Sequence, residues 1–119
     1  MLTGVNINNT TSMALSGLNA AKPRLNVSAH NVANSNTDGF DPKRVDQVDL
    51  QGGGTAAKIR QPDMPNPTYM RNGSLVEASN TDLVSERVDQ LQASNSFKAN
   101  LVTLRTSDEM LGSLFDTRI

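Results

Sequence analysis

Two segments of this chain, one near each end, carry small and apolar residues at alternating intervals of four and three positions. In the first segment these positions are Ala14, Leu18, Ala21, Leu25, Ser28 and Val32. In the second they are Val84, Val88 and Leu91 and, after a break of six positions, Phe97, Leu101, Leu104 and Leu111, with the acidic Asp108 in the same spacing. This spacing keeps the side chains on one face of an α-helix and is typical of helices that pair lengthwise. The sequence therefore predicts a mainly α fold, in which two long terminal amphipathic helices pack as a coiled-coil-like pair.

Local sequence signals divide the chain into four parts. Residues 1–10 are polar, rich in Asn and Thr, and predicted to be mobile. Helices are predicted over 11–35 and 79–116, with Thr10 and Ser79 among the candidate caps. Pro23 leaves two alternatives, one kinked helix or two short ones; the unbroken spacing across the proline favours one kinked helix.

The middle part, residues 36–78, is predicted to be irregular with one small β-hairpin. Asn72-Gly73 is a type I′ turn signal between 68–71 and 74–77. At most one short strand is expected near Val45–Leu50, and Ala57–Arg60 is a candidate for another. Gly52–Gly54 is interpreted as a flexible break between them.

Composition excludes several function classes. The chain has 119 residues with 11 basic and 12 acidic side chains, a balance that gives no electrostatic case for nucleic acid. It has no cysteine and one histidine, His30, which excludes thiolate or multi-histidine metal sites. No apolar run is long enough to span a membrane. No catalytic residue, metal ligand or cofactor site is therefore predicted.

The two apolar faces are too narrow and too poor in aromatic residues to form a convincing isolated core, since only 3% of residues are aromatic. Helices of other subunits would complete the burial. The spacing itself is equally compatible with a helical hairpin inside one chain. The predicted subunit interface places one set of side chains against another: Leu18, Leu25 and Val32 against Val88, Leu91, Phe97, Leu101, Leu104 and Leu111.

Motifs at both ends resemble the bacterial flagellar basal-body rod and hook family. The first motif reads SGLNAA from Ser16, RL at Arg24-Leu25, and AHNVANSNTDGF from Ala29 to Phe40. The second reads VEASNTDLVSE from Val76 to Glu86, and TSDEMLG follows near the C-terminus. Together they cover about half of the chain, in the order in which the family has them.

The resemblance implies an axial structural subunit that self-assembles helically through its terminal helices and contacts other rod and hook proteins. It also implies export by the flagellar type III apparatus without a cleaved signal peptide, and a place in the rod, in the periplasmic space. The length of the chain resembles that of proximal-rod subunits, whereas the sequence of Val76–Glu86 is more like that of distal-rod and hook members.

Three positions depart from the family pattern: Pro23, Asp41-Pro42, and the run Ala93–Phe97. These departures keep a divergent accessory paralogue open as an alternative to the rod subunit. A second alternative is a helical adaptor outside the axis that binds one partner helix. A small hydrolytic enzyme is the third hypothesis, and it lacks a visible pair of catalytic carboxylates.

Overall fold

The computed structural model describes residues 7–117, and two helices and four short strands account for most of them. The order is α1 (Ile7–Ala33), β1 (Arg44–Asp49), β2 (Thr55–Arg60), β3 (Thr68–Arg71), β4 (Ser74–Glu77) and α2 (Leu83–Thr117). The predicted mainly α fold with paired terminal helices is confirmed. Helix α1 begins four residues before its predicted start, so residues 7–10 are helical; residues 1–6 of the predicted mobile segment lie outside the described residues.

Helix α1 continues through Pro23, as expected for one helix and not for two. Beyond Ala33 the chain turns by means of side chains that compete with helical hydrogen bonds. The Asn34 amide Nδ2 donates to the His30 carbonyl at 2.9 Å, and the Thr37 hydroxyl donates to Asn34 Oδ1 at 3.1 Å. Gly39 follows with a φ of 71°, a left-handed conformation that suits glycine.

The two helices run antiparallel with a constant register. Asn31 faces Glu86 and Gly17 faces Asn100, and both pairs of residue numbers add to 117. Between them, Arg24 Nη2 donates to Gln92 Oε1 at 3.3 Å. A single register over this length indicates lengthwise pairing and not a crossing at one point.

Small side chains fill the contact between the helices. Among the described residues the buried apolar ones are Ala14, Leu18, Ala20 and Ala21 on α1 and Ala93 on α2. The molecule measures 80 × 24 × 14 Å. Exposed apolar side chains remain on both helices, among them Leu15 on α1 and Val102 on α2, so each helix keeps an uncovered face.

The middle part contains two antiparallel hairpins, so the prediction of an irregular segment with one hairpin is incomplete. The hairpin β3–β4 has the predicted bounds and turns at Asn72-Gly73. The hairpin β1–β2 was not predicted, because the triple glycine was interpreted as a flexible break. Gly53 and Gly54 instead take positive φ angles of 106° and 91° and form its turn.

The β1–β2 hairpin packs on α1 through that turn. A Cβ atom at Gly53 would collide with the Met13 methyl group, and one at Gly54 would lie 2.8 Å from Ser16 Oγ. The backbone N–H of Thr55 donates to the same Ser16 hydroxyl at 3.1 Å. Glycine is therefore required for the close approach as well as for the turn.

The β3–β4 hairpin is held at its base and is otherwise exposed. Asp38 accepts hydrogen bonds from the Tyr69 hydroxyl at 2.7 Å and from Arg71 Nη1 at 3.1 Å. The Asn66 amide donates to the carbonyls of Phe40 and Ala78. These bonds tie the turn after α1 to the segment that leads into α2.

Candidate subunit interface

The face of α2 that meets α1 is an unbroken heptad pattern of mostly small and polar residues. We call this set the inner seam: Glu86, Gln90, Ala93, Phe97, Asn100, Leu104, Ser107 and Leu111. All eight are buried or half-buried. The predicted stripe agrees with this seam at Phe97, Leu104 and Leu111. It differs at Val84, Val88 and Leu91, which are exposed by 73%, 47% and 52%.

The nine predicted interface residues therefore lie on different faces. Leu18 is buried within its own chain, and Leu25, Phe97, Leu104 and Leu111 are half-buried. The other four are exposed: Val32, Val88, Leu91 and Leu101. The assignment of these nine residues to a subunit interface stays a prediction. The four exposed side chains have the most surface available to another subunit.

The exposed apolar residues of α2 concentrate on the side away from α1. Counting about 100° per residue, Val84 lies about 160° around the helix from Glu86 of the inner seam. Val88, Leu91 and Val102 lie within the same sector. We call these four residues the outer stripe. Val102 is 60% exposed, so the outer stripe runs over five turns without a covering element.

A buried polar cluster joins the two helices to the middle part. It consists of Ser28 and Asn31 on α1, Arg44 on β1, and Glu86 and Asp89 on α2. Asn31 Nδ2 donates to Glu86 Oε1 at 3.0 Å and to the Lys43 carbonyl at 2.8 Å, while the Lys43 N–H donates to Asn31 Oδ1 at 3.1 Å. The Asn31 side chain thus satisfies both backbone groups of Lys43, just before β1, as the backbone of a neighbouring strand would.

The Glu86 carboxylate has its partners on Oε1, and Arg44 is shared between Glu86 and Asp89, while Oε2 is buried without a hydrogen-bond partner. The Glu86 side chain is fully buried, and Arg44 Nη1 lies 3.3 Å from Oε1 and 3.4 Å from Asp89 Oδ2. Ser28 Oγ donates to the Glu86 carbonyl at 3.1 Å. A buried carboxylate is tolerated only with such partners. In the sequence, the signal that points to Glu86 is its place in the second motif.

Asp82 caps the start of α2. Its Oδ1 accepts the Val84 N–H at 3.0 Å, and its Oδ2 accepts the Ser85 hydroxyl at 3.0 Å. The Ser85 hydroxyl, together with the backbone N–H groups of Val84 and Ser85, holds the pKa of the Asp82 carboxyl below its usual value. At the hairpin base, the hydrogen bond to Asp38 raises the pKa of the Tyr69 hydroxyl.

The described residues show no arrangement that points to other chemistry. Within 7–117, no group of three or more His, Asp or Glu side chains is placed to hold a metal ion. No helix in that range is long and apolar enough to cross a membrane. His30 lies against Phe40, with ring centroids 5.6 Å apart in an edge-on arrangement, and so has a packing role.

Comparison with known proteins places both ends of the chain in one kind of assembly. Residues 12–40 match a family model described as flagella basal body rod protein, and residues 71–117 match one described as flagellar basal body rod FlgEFG protein C-terminal. The first match covers most of α1 and the turn after it. The second covers β4 and α2.

Curated relatives match the chain over nearly its whole length. The flagellar basal-body rod protein FlgC of Salmonella typhimurium is 34% identical over 124 aligned positions, which cover 87% of this chain and 91% of the relative. FlgC of Escherichia coli O157:H7 is 32% identical, with the same shares covered. FlgC of Agrobacterium fabrum is 27% identical, covering 89% of this chain and 91% of the relative.

Proposed function

This chain belongs to the family of flagellar basal-body rod proteins, and we propose that it is a structural subunit of the rod that assembles through its terminal helices. The matched relatives are named as rod proteins and are covered over 91% of their length. Because the similarity extends over the whole subunit and not only over one shared motif, it supports a role for this chain as a complete rod subunit.

The observation that carries the assembly role is the outer stripe of α2. Its four apolar residues are exposed by 47–73%. Each fully buried Val or Leu side chain contributes about 1.5–3 kcal/mol relative to an exposed one. Covering the stripe with a neighbouring subunit would supply the stabilisation that the small buried core of one chain lacks.

Repeated contacts of this kind build a rod when they join different surfaces of successive copies. Such a heterologous contact leaves a free surface at each end, so that growth continues as an open helical polymer. The proposed partners are further copies of this chain and other axial proteins of the rod and hook. Folding of each subunit would be completed as it is added.

The proposal includes the place and route that family membership supports. The subunit would lie in the rod, in the periplasmic space, after export by the flagellar type III apparatus without a cleaved signal peptide. Mass spectrometry of purified hook–basal bodies tests its presence there. Several copies per particle are expected. Absence from particles that contain the other rod proteins would favour the adaptor or accessory paralogue.

The outer stripe is tested by two substitutions at one position. Val88→Asp places a charge on an exposed surface, so we expect normal helix content in the purified protein but loss of incorporation and motility. Val88→Thr has nearly the same shape without the charge and should retain most function. Motile cells that incorporate Val88→Asp at the normal level would refute the role of this stripe.

A further inference from the structure

Helix α1 carries a second heptad pattern on its outer side, opposite to its contact with α2. We call this set the α1 outer row: Leu15, Asn19, Lys22, Asn26, Ala29 and Ala33. All six are exposed. The row differs in character from the outer stripe of α2, because it is small or polar except at Leu15, whereas the outer stripe consists of branched apolar residues. The helix pair thus presents two unlike surfaces on its two outer sides.

From these two surfaces we infer that the outer stripe of α2 docks on the α1 outer row of a second copy of this chain, antiparallel and in the register that α1 and α2 use inside one subunit. This inference rests on the proposed function and names the partner surface. Successive copies would then form a continuous layer in which α1 and α2 alternate.

The internal register supplies the first argument, because the proposed contact continues an interface already present in the molecule. Facing positions inside one chain have numbers that add to 117. The same rule pairs Ala33 with Val84, Ala29 with Val88, and Leu15 with Val102. Alanine meets valine in the first two pairs and two apolar side chains meet in the third, while Leu91 falls opposite Asn26; the alanine–valine pairs have the complementarity that closely packed helices need.

In the middle of the proposed contact between the two copies, the same register also brings compatible side chains together. The rule places Lys22 opposite Asn95 and Asn19 opposite Lys98, so polar groups meet polar groups where the outer stripe lacks apolar residues. No two like charges face each other directly in this arrangement. A shift by one heptad would bring Lys22 opposite either Val88 or Val102 and bury its ammonium group against an apolar side chain.

Charge provides the second argument and favours unlike helices over like ones. Helix α1 contains Lys22 and Arg24 and no acidic residue. On the side of α2 that carries the outer stripe, the charged residues between Val84 and Val102 are Arg87 and Lys98, because Glu86 belongs to the inner seam and Asp89 pairs with Arg44. Contact of α2 with α2 through the outer stripe would therefore bring four basic side chains together, whereas contact with the α1 outer row adds only Lys22 to two of them.

The absence of native cysteine allows a direct test by disulfide cross-linking. Single-cysteine variants Leu15→Cys, Ala29→Cys, Val88→Cys and Val102→Cys would be co-expressed in pairs, and basal bodies purified and oxidised. A disulfide needs Cα atoms about 4.4–6.8 Å apart. Within one chain these positions lie on opposite outer sides of the helix pair, so any cross-link joins two copies.

We expect covalent dimers, several-fold above background, from Ala29→Cys with Val88→Cys and from Leu15→Cys with Val102→Cys. The exchanged pairs, Ala29→Cys with Val102→Cys and Leu15→Cys with Val88→Cys, should stay at background because they are displaced by 14 residues, or about 21 Å. Gly112→Cys, whose surroundings are open, is the control for random collision.

Two results would overturn the inference. One is a Val88→Cys variant that links to itself as efficiently as to Ala29→Cys, which would indicate that like helices meet. The other is no link from either matched pair in basal bodies that contain the chain, which would assign the outer stripe to a different rod protein. Absence of the chain from those particles would instead defeat the proposed function.

Discussion

Gly17 fixes how closely the two helices approach, and its replacement by alanine is expected to destabilise the pair. A Cβ atom at this position would lie 2.5 Å from Cγ, Oδ1 and Nδ2 of Asn100 on α2. Alanine gains about 1 kcal/mol over glycine in a helix interior, whereas overpacking costs about 1–3 kcal/mol. The two terms together predict that Gly17→Ala lowers the free energy of unfolding by up to about 2 kcal/mol.

Gly112→Ala is the matched control, because this glycine is also inside a helix but has no atom near its Cβ position. It should show the propensity gain alone, about 1 kcal/mol of added stability. The difference between the two variants, about 1–3 kcal/mol, then isolates the steric term. Thermal unfolding followed by circular dichroism at 222 nm measures it, at about 4 °C per kcal/mol.

A second substitution identifies the colliding group. Asn100 makes its side-chain hydrogen bond to Ser96 of its own helix at 2.8 Å, so Asn100→Ala removes little that joins the two helices. In the Gly17→Ala background it should recover about 0.5–3 kcal/mol, the usual coupling between residues in contact. A Gly17→Ala protein as stable as Gly112→Ala, or a double variant without recovery, would refute the close-approach argument.

Two further predictions concern the polar groups that position the helices. Asn31→Ala removes three hydrogen bonds and one partner of the buried Glu86 carboxylate, so unfolding should become easier by at least about 2 kcal/mol in urea titration. Asn26→Ala, at an exposed position of the same helix, should change the free energy of unfolding little. An Asn26→Ala effect as large as that of Asn31→Ala would contradict the role of the buried cluster. The lowered pKa of Asp82 means that its cap stabilises α2 above the ordinary carboxyl pKa of 3.8 and loses this effect as the pH falls through the folded-state value. Asp82→Ala should therefore melt below the unsubstituted protein at neutral pH but not near pH 2. Asp82→Asn, whose amide oxygen can still accept the Val84 N–H, should show a smaller deficit at neutral pH, and an Asp82→Ala deficit that persists in acid would show that the cap is not electrostatic.

The elements that the sequence predicts well are those with local causes. Alternating four–three spacing predicted both helices, and Asn72-Gly73 predicted a hairpin whose strand bounds are confirmed. In each case the residues that determine the structure are neighbours along the chain. The second hairpin depended instead on contacts of Gly53 and Gly54 with α1, about 40 residues away, and local composition alone indicated only flexibility.

Over the first turns of α2, the predicted stripe of large apolar residues does not lie on the face that meets α1, for a related reason. Hydrophobic spacing gives weight to large side chains, and there the large ones are Val84, Val88 and Leu91. The inner seam uses Glu86, Gln90 and Ala93 instead, because the buried cluster around Asn31 requires a carboxylate and the adjoining contact is made by polar and small side chains. A pattern of large apolar residues cannot reveal a contact made of small and paired polar ones.

The inner seam and the outer stripe of α2 thus have different roles. This difference is expected of a subunit whose two helices must be held in one register before the subunit meets its neighbours. Alanine and glycine contacts by themselves allow sliding, since successive turns of small residues are nearly equivalent. Asn31 and Glu86 remove that freedom, because displacement by one turn would leave both buried groups without their partners. The branched apolar residues are then kept on the outer side of α2, where they offer a neighbouring helix two apolar patches, Val84–Leu91 and Val102, separated by polar residues.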